Sequence, residues 1–144
     1  MEEITLSMEK RRKVTLCNHN FSEEGIYHPD RVMTEYDLLY MQNGEWDIME
    51  EDACYHVAPG HVLLLEPGKR HYSLNKCSPM MRNVYIHFSE EEILSSTQTL
   101  TIAKLTDCTD NHEILHDMER IIDVYFSANY ENRELRLSIL LDEL

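Results

Sequence analysis

Along the first ninety residues, short runs rich in β-branched and aromatic side chains sit between turn signals. They are residues 13–19 (KVTLCNH), 36–42 (YDLLYMQ), 45–50 (EWDIME), 54–57 (CYHV), 61–66 (HVLLLE), 71–74 (HYSL) and 83–88 (NVYIHF). Many short strands at this spacing predict an antiparallel sandwich or barrel. Asn43-Gly44 falls between two of the runs and tolerates the positive φ of a type I′ turn, so a hairpin is expected there. In residues 83–88, Val84, Ile86 and Phe88 alternate with Asn83, Tyr85 and His87, which gives that strand one apolar and one polar face. The run SEEEI at 89–93 reads as a helix start or a solvated turn.

The pattern changes after Pro79, the last proline; the last glycine is Gly68. Ile114, Leu115, Met118, Ile121, Ile122, Tyr125 and Phe126 recur at steps of three and four, and Leu137, Leu140, Leu141 and Leu144 repeat the spacing. Each set lies on one helical face. The break between them, SANYEN, is short and polar, so two helices packed as a hairpin are expected. The chain thus divides into a β-rich part, residues 1–106, and a two-helix part, residues 107–144.

At 144 residues the chain can bury a single core without staples. Its 27 acidic and 13 basic residues give a formal net charge of -14, which repels a phosphate backbone and makes the chain by itself a poor nucleic-acid binder. No apolar run approaches the roughly 20 residues that span a bilayer, and the start lacks the apolar stretch of a secretory signal. No membrane association and a cytoplasmic location are expected. Cys17, Cys54, Cys77 and Cys108 are scattered without a Cys-x-x-Cys pair, so reduced thiols are expected rather than a disulfide framework or zinc ribbon.

Residues 59–75, PGHVLLLEPGKRHYSLN, place two Pro-Gly turns around an apolar strand, followed by His71, Ser73 and Asn75 on one face. This resembles the second motif of the cupin superfamily, matched by Gly60, Gly68, His71 and Asn75, with Glu66 where the family carries proline. The first cupin motif carries H-x-H, then an acidic residue and a glycine. Asp37 and Gly44 match its later part, but Arg31 and Met33 stand in place of the histidines. Only Asp37, His71 and His87 are left as candidate metal ligands, so no resident metal and no cofactor are expected.

A narrower resemblance covers residues 14–144. DRVMTEYDLLYMQNGEWDI, YHVAPGHVLLLEPGKRHYSLN and NVYIHFS, followed by two amphipathic helices, look like the amino-terminal effector-binding domain of AraC/XylS-type transcription regulators. The resemblance implies a mainly β fold with α: a cupin-like β-barrel (double-stranded β-helix) followed by a C-terminal helical hairpin. It also implies that Arg31, Asp37, His71, Ser73, Asn83, Tyr85 and His87 bind a small-molecule effector inside the barrel, a sugar or sugar derivative. A small acid paired with Arg31 would satisfy the same residues. The residues themselves leave alternatives: Arg31 in an ion pair with Asp30 or Glu35, Asp37 at the pocket rim, His87 as a structural histidine. Trp46 reads as core filler rather than as a stacking platform.

Regulators of this kind read paired half-sites, so the resemblance implies a homodimer, with Ile114, Met118, Ile121, Ile122, Tyr125, Leu137, Leu140 and Leu141 offering the apolar surface. DNA is expected to be bound only by a C-terminal helix-turn-helix domain that this chain does not include, since the sequence stops at LSILLDEL within an amphipathic pattern. The competing reading is a metal-dependent cupin enzyme, an isomerase or oxygenase, against which the missing H-x-H speaks.

Overall fold

The structure is a computed structural model that describes residues 2–7, 10–92, 99–127 and 133–144. In chain order the strands are β1 (Glu3–Ser7), β2 (Lys10–Ser22), β3 (Arg31–Val32), β4 (Tyr36–Asn43), β5 (Trp46–Glu50), β6 (Ala53–Val57), β7 (His61–Leu65), β8 (Arg70–Tyr72), β9 (Met81–Glu92), β10 (Thr99–Ala103) and β11 (Leu105–Asp107). Two helices follow, α1 (Glu113–Phe126) and α2 (Arg133–Glu143). Three antiparallel sheets result: five strands in the order β11-β7-β4-β9-β2, four in the order β3-β8-β5-β6, and the ribbon β1-β10.

Strand alternation sorts the side chains into two cores. Leu39, Met41, Leu63 and Leu65 of the five-stranded sheet meet Trp46, Ile48, Tyr55 and Val57 of the four-stranded sheet in the barrel interior. The opposite face of the larger sheet, with Tyr40, Leu64, Val84, Ile86 and Phe88, packs against Met118, Ile121, Ile122 and Val124 of α1 and Leu137 and Leu141 of α2. A central strand buried on both faces needs apolar residues on both, and β4 and β7 supply them. The fold is the cupin-like barrel followed by two helices.

Three expectations change. Asn43-Gly44 does not make a hairpin, because β7 and β9 occupy both edges of β4 and leave β5 no place beside it. The chain instead turns a corner there into the smaller sheet, with Gly44 at φ 81° and the Asn43 side-chain amide donating to the Met80 carbonyl at 2.8 Å. The hairpin forms one strand later, β5 to β6, with Glu50 opposite Ala53 and Glu51 at φ 51°. Second, the acidic run continues β9 as extended chain through Glu92, with Lys10 opposite Glu92 and Arg12 opposite Glu90; Ile93 lies outside the described residues. Arg12 and Glu90 bring opposite charges to 3.8 Å, which favours this register. Third, Met118, Ile121, Ile122, Leu137 and Leu141 are not a free apolar face: all are buried inside this one chain. Ile114, Tyr125 and Leu140 are half-buried against the same cluster, and the Tyr125 hydroxyl donates to the Thr15 carbonyl at 3.1 Å. The outer surface of the larger sheet is apolar and must be covered, and the helices cover it. Of the SANYEN break, residues 128–132 lie outside the described residues.

Candidate functional site

β9 lies between β4 and β2, and its inward row is the polar one. Asp37, Leu39 and Met41 of β4 stand opposite His87, Tyr85 and Asn83, while Leu16, Asn18 and Asn20 of β2 flank the same three residues on the other side. Apolar neighbours and the mutually paired Glu50, His71 and Lys104 fill the rest of the interior, so this polar stripe is where the barrel leaves space. The space is a cavity of about 280 Å³ lined by Arg31, Asp37, Asn83, Tyr85 and His87, together with His28, Trp46, Tyr27, Asn20 and Leu16. That volume lies near the lower end of the roughly 300–1,000 Å³ usual for ligand pockets, so it suits a molecule of monosaccharide size.

The cavity wall carries polar atoms with nothing to bond. Asp37 is 3 % exposed, Trp46 3 % and Asn83 0 %, yet Asp37 Oδ1, Trp46 Nε1 and Asn83 Oδ1 have no hydrogen-bond partner among the described residues. Burying such groups unpaired costs roughly 1–3 kcal/mol each, and proteins seldom bear that cost three times in one place without a ligand to relieve it. His87 Nε2 is 3.3 Å from Asp37 Oδ1, but off the line a hydrogen bond requires. Tyr85 packs on the His87 ring with centroids 5.1 Å apart, and burial, reinforced by the Asp37 charge, raises its pKa and keeps its hydroxyl a donor.

His28 is the residue that sequence reasoning passed over. Its backbone N–H donates to Ser73 Oγ at 2.8 Å and its Nδ1 lies 3.0 Å from the Pro29 carbonyl, which can only accept. Nδ1 therefore carries the proton and Nε2 is the free acceptor of the neutral ring. Burial lowers the His28 pKa, outweighing the opposing Asp37 charge, so the neutral ring is favoured. The ring also packs on Trp46 at 5.4 Å. Trp46 belongs to the barrel core and lines the cavity as well. The place of His28 in the wall depends on Ser73, 45 positions away, a contact that no local pattern signals.

Two expected ligand contacts are corrected. His71 is fully buried away from this cavity: its Nε2 lies 3.3 Å from Glu50 Oε2, and Glu50 in turn accepts from Lys104 Nζ and, at 2.8 Å, from the Glu66 N–H. Ser73 does not line the cavity, and its Oγ accepts from the His28 backbone N–H, so it positions the wall rather than a ligand. The ion-pair alternative for Arg31 also fails. Asp30 is held by Arg70 through hydrogen bonds of 2.8 and 2.7 Å, and no ion pair joins Arg31 to Glu35 among the described residues. The residues do not fit a cupin metal: Asp37 and His87 adjoin, but no third His, Cys, Asp or Glu joins them among the described residues.

A larger cavity, about 370 Å³, lies on the other side of the five-stranded sheet beneath β10 and the helices. Its wall is mainly apolar, with Leu38, Leu64, Phe88 and Ile114, and its Arg12 already pairs with Asp142 at 3.3 Å. It has the volume but none of the unpartnered buried atoms, so the smaller cavity is the candidate site.

A two-sheet barrel with a polar pocket in its interior and helices on its outer face defines a cupin-like module. Residues 15–144 match the model of the AraC-like ligand-binding domain, and the chain belongs to that family. Over 68 residues it is 31 % identical to the uncharacterized HTH-type transcriptional regulator YisR of Bacillus subtilis, covering 47 % of this chain and 24 % of YisR. The chain therefore spans about a quarter of the length of that curated relative. Among solved structures, apo ToxT from Vibrio cholerae aligns with a TM-score of 0.56 at 12 % identity, over 89 % of this chain and 53 % of ToxT. A cupin 2 conserved barrel domain protein from Salinispora arenicola aligns with a TM-score of 0.42 at 17 % identity, over 58 % of this chain and 78 % of that one. No helix among the described residues is long and apolar enough to cross a membrane.

Proposed function

We propose that this chain is the effector-sensing part of a transcription regulator and not an enzyme, and that it binds a small hydroxylated molecule, a sugar or sugar derivative, in the β4–β9 cavity. The observation that carries the reading is the set of unpartnered buried atoms of Asp37, Trp46 and Asn83 on one wall. Hydroxyl groups donate and accept, so one polyol satisfies both the two acceptors and the indole donor. DNA contact belongs to a segment outside this chain, in keeping with the net charge of -14.

β9 supplies the route from ligand to output. Its inward residues Asn83, Tyr85 and His87 line the cavity, and its outward residues Val84, Ile86 and Phe88 lie under α1 and α2. A ligand that prefers one position of β9 biases the helix packing by its differential affinity for the two arrangements. Within this reading two copies pair through the outward side of α2, where Leu135 and Ile139, four residues apart, remain exposed.

Trp46 is the sole tryptophan and lines the cavity, so its emission reports occupancy directly. Titration with monosaccharides and their oxidised, aminated and phosphorylated derivatives is expected to change that emission saturably for at least one compound, and Asn83→Leu to abolish the change. Saturable binding of apolar compounds alone, unaffected by Asn83→Leu, would move the site to the larger cavity.

A further inference from the structure

The cavity has two chemically different ends. Asp37 and Asn83 present bare acceptors where the wall is buried. Arg31, on the two-residue strand β3, is exposed and reaches the same cavity from its rim. Both Arg31 and Asp37 act electrostatically on His28 and on Tyr85, so the two charges bracket the same space.

Acidic residues outnumber basic ones 27 to 13, and an aspartate precedes Arg31 directly, yet Arg31 has no ion pair among the described residues. Asp30 is turned to Arg70, whose guanidinium takes both carboxylate oxygens. The fixed fork of a guanidinium suits a planar two-oxygen acceptor. A cationic ligand would meet that fork with like charge. A dicarboxylate would set its second anion against Asp37, and a phosphate dianion would bring two charges to one arginine.

Resting on the reading of this cavity as a ligand site, we propose that its ligand is a hydroxylated monocarboxylate of monosaccharide size, a sugar acid. Its carboxylate sits on Arg31 at the rim and its hydroxyls on Asp37 and Asn83 at the buried end. Neutral sugars satisfy the buried end only. Specificity for the acid therefore resides in Arg31, and recognition of the polyol resides in the β4–β9 seam.

Trp46 emission is titrated with galacturonate, glucuronate and gluconate, with galactose and glucose as neutral counterparts, and with glucose 6-phosphate. At least one acid is expected to bind about tenfold or more tightly than its neutral counterpart, with the advantage shrinking as salt rises. Arg31→Gln is expected to bring the acid down to the level of the neutral sugar, whereas Asn83→Leu weakens both. Equal binding of acid and neutral sugar, or tighter binding of the phosphate, overturns the carboxylate assignment while leaving the cavity as a polyol site. Binding of none of these compounds overturns both.

Discussion

Asp37 and His87 face each other across the β4–β9 pair, 3.3 Å from carboxylate oxygen to imidazole nitrogen, and still leave that oxygen without a hydrogen bond. The pair is aligned by strand register rather than by its own attraction. Asp37→Asn keeps the volume and removes the charge, so the fold is retained while affinity for the tightest ligand found falls about tenfold, in line with the loss of one charge-assisted hydrogen bond. Trp46 titration measures it; an unchanged affinity would take Asp37 out of the site.

The second buried cluster is structural. Burial would raise the Glu50 carboxyl, but hydrogen bonds from His71, Lys104 and the Glu66 N–H overcome it and hold the pKa at about 2. A depressed carboxylate contributes stability that is present above its unfolded value of 4.5 and lost as pH falls toward about 2. Lys104→Met leaves Glu50 buried without its ammonium partner and is expected to cost about 3–5 kcal/mol at neutral pH. Urea unfolding at pH 7 and pH 4 should show the smaller loss at the lower pH; an equal loss at both would mean that packing, not charge, accounts for Lys104.

His28 sets a separate pH window. Its folded pKa lies below the ordinary 6.5, so its stabilising contribution is complete above that value and declines as pH falls through the folded pKa, where the unfolded chain binds the proton more readily. Between pH 7 and pH 5.5, His28→Gln is expected to lose less stability than the parent protein. Thermal melts across that range test it, and identical slopes for the two proteins would contradict the assignment.

The helices supply a test of which apolar faces are already used. Ile121 is 0 % exposed and Ile139 is 50 % exposed. Ile121→Ala should cost about 2–5 kcal/mol, the range for truncating a buried aliphatic side chain. Ile139→Glu should leave the monomer's stability nearly unchanged and weaken self-association. Circular dichroism melts and sedimentation equilibrium separate the effects; dimerisation unaffected by Ile139→Glu would remove the outer face of α2 as the contact.

Two glycines of the Pro-Gly turns separate backbone conformation from crowding. Both have positive φ, 85° at Gly60 and 79° at Gly68, but a Cβ at Gly60 would stand 2.9 Å from Thr109 Cα, whereas at Gly68 it meets nothing within 4 Å. Gly68→Ala should cost only the left-handed backbone penalty, about 1–2 kcal/mol, and Gly60→Ala distinctly more. Equal losses in urea unfolding would mean that the 109 region yields without cost.

Local pattern was enough for β2, β4 to β9, the two helices and the faces of β9, because alternation and the 3.6-residue period depend only on neighbouring residues, whereas β1, β3, β10 and β11 went unread. The corner at Asn43-Gly44 was not readable in this way: a turn's φ preference says that the chain reverses or bends, while edge availability in the larger sheet decides which. Sequence alone likewise marked Arg31 as a candidate but not as an unpaired one, since that depends on Arg70, from a strand forty positions away, taking Asp30. His71 and Lys104 look like ordinary polar residues in the chain, and only their convergence on Glu50 from separate strands and a loop makes them a buried charge cluster. The helical residues Met118, Ile121 and Leu137 were legible as apolar faces, but whether such a face meets its own sheet or a second copy is a question of area left uncovered. The sheet's outer surface, apolar at Val84, Ile86 and Phe88, settled it by claiming them, because exposed apolar area loses most free energy by being covered within the same chain, with no association entropy to offset.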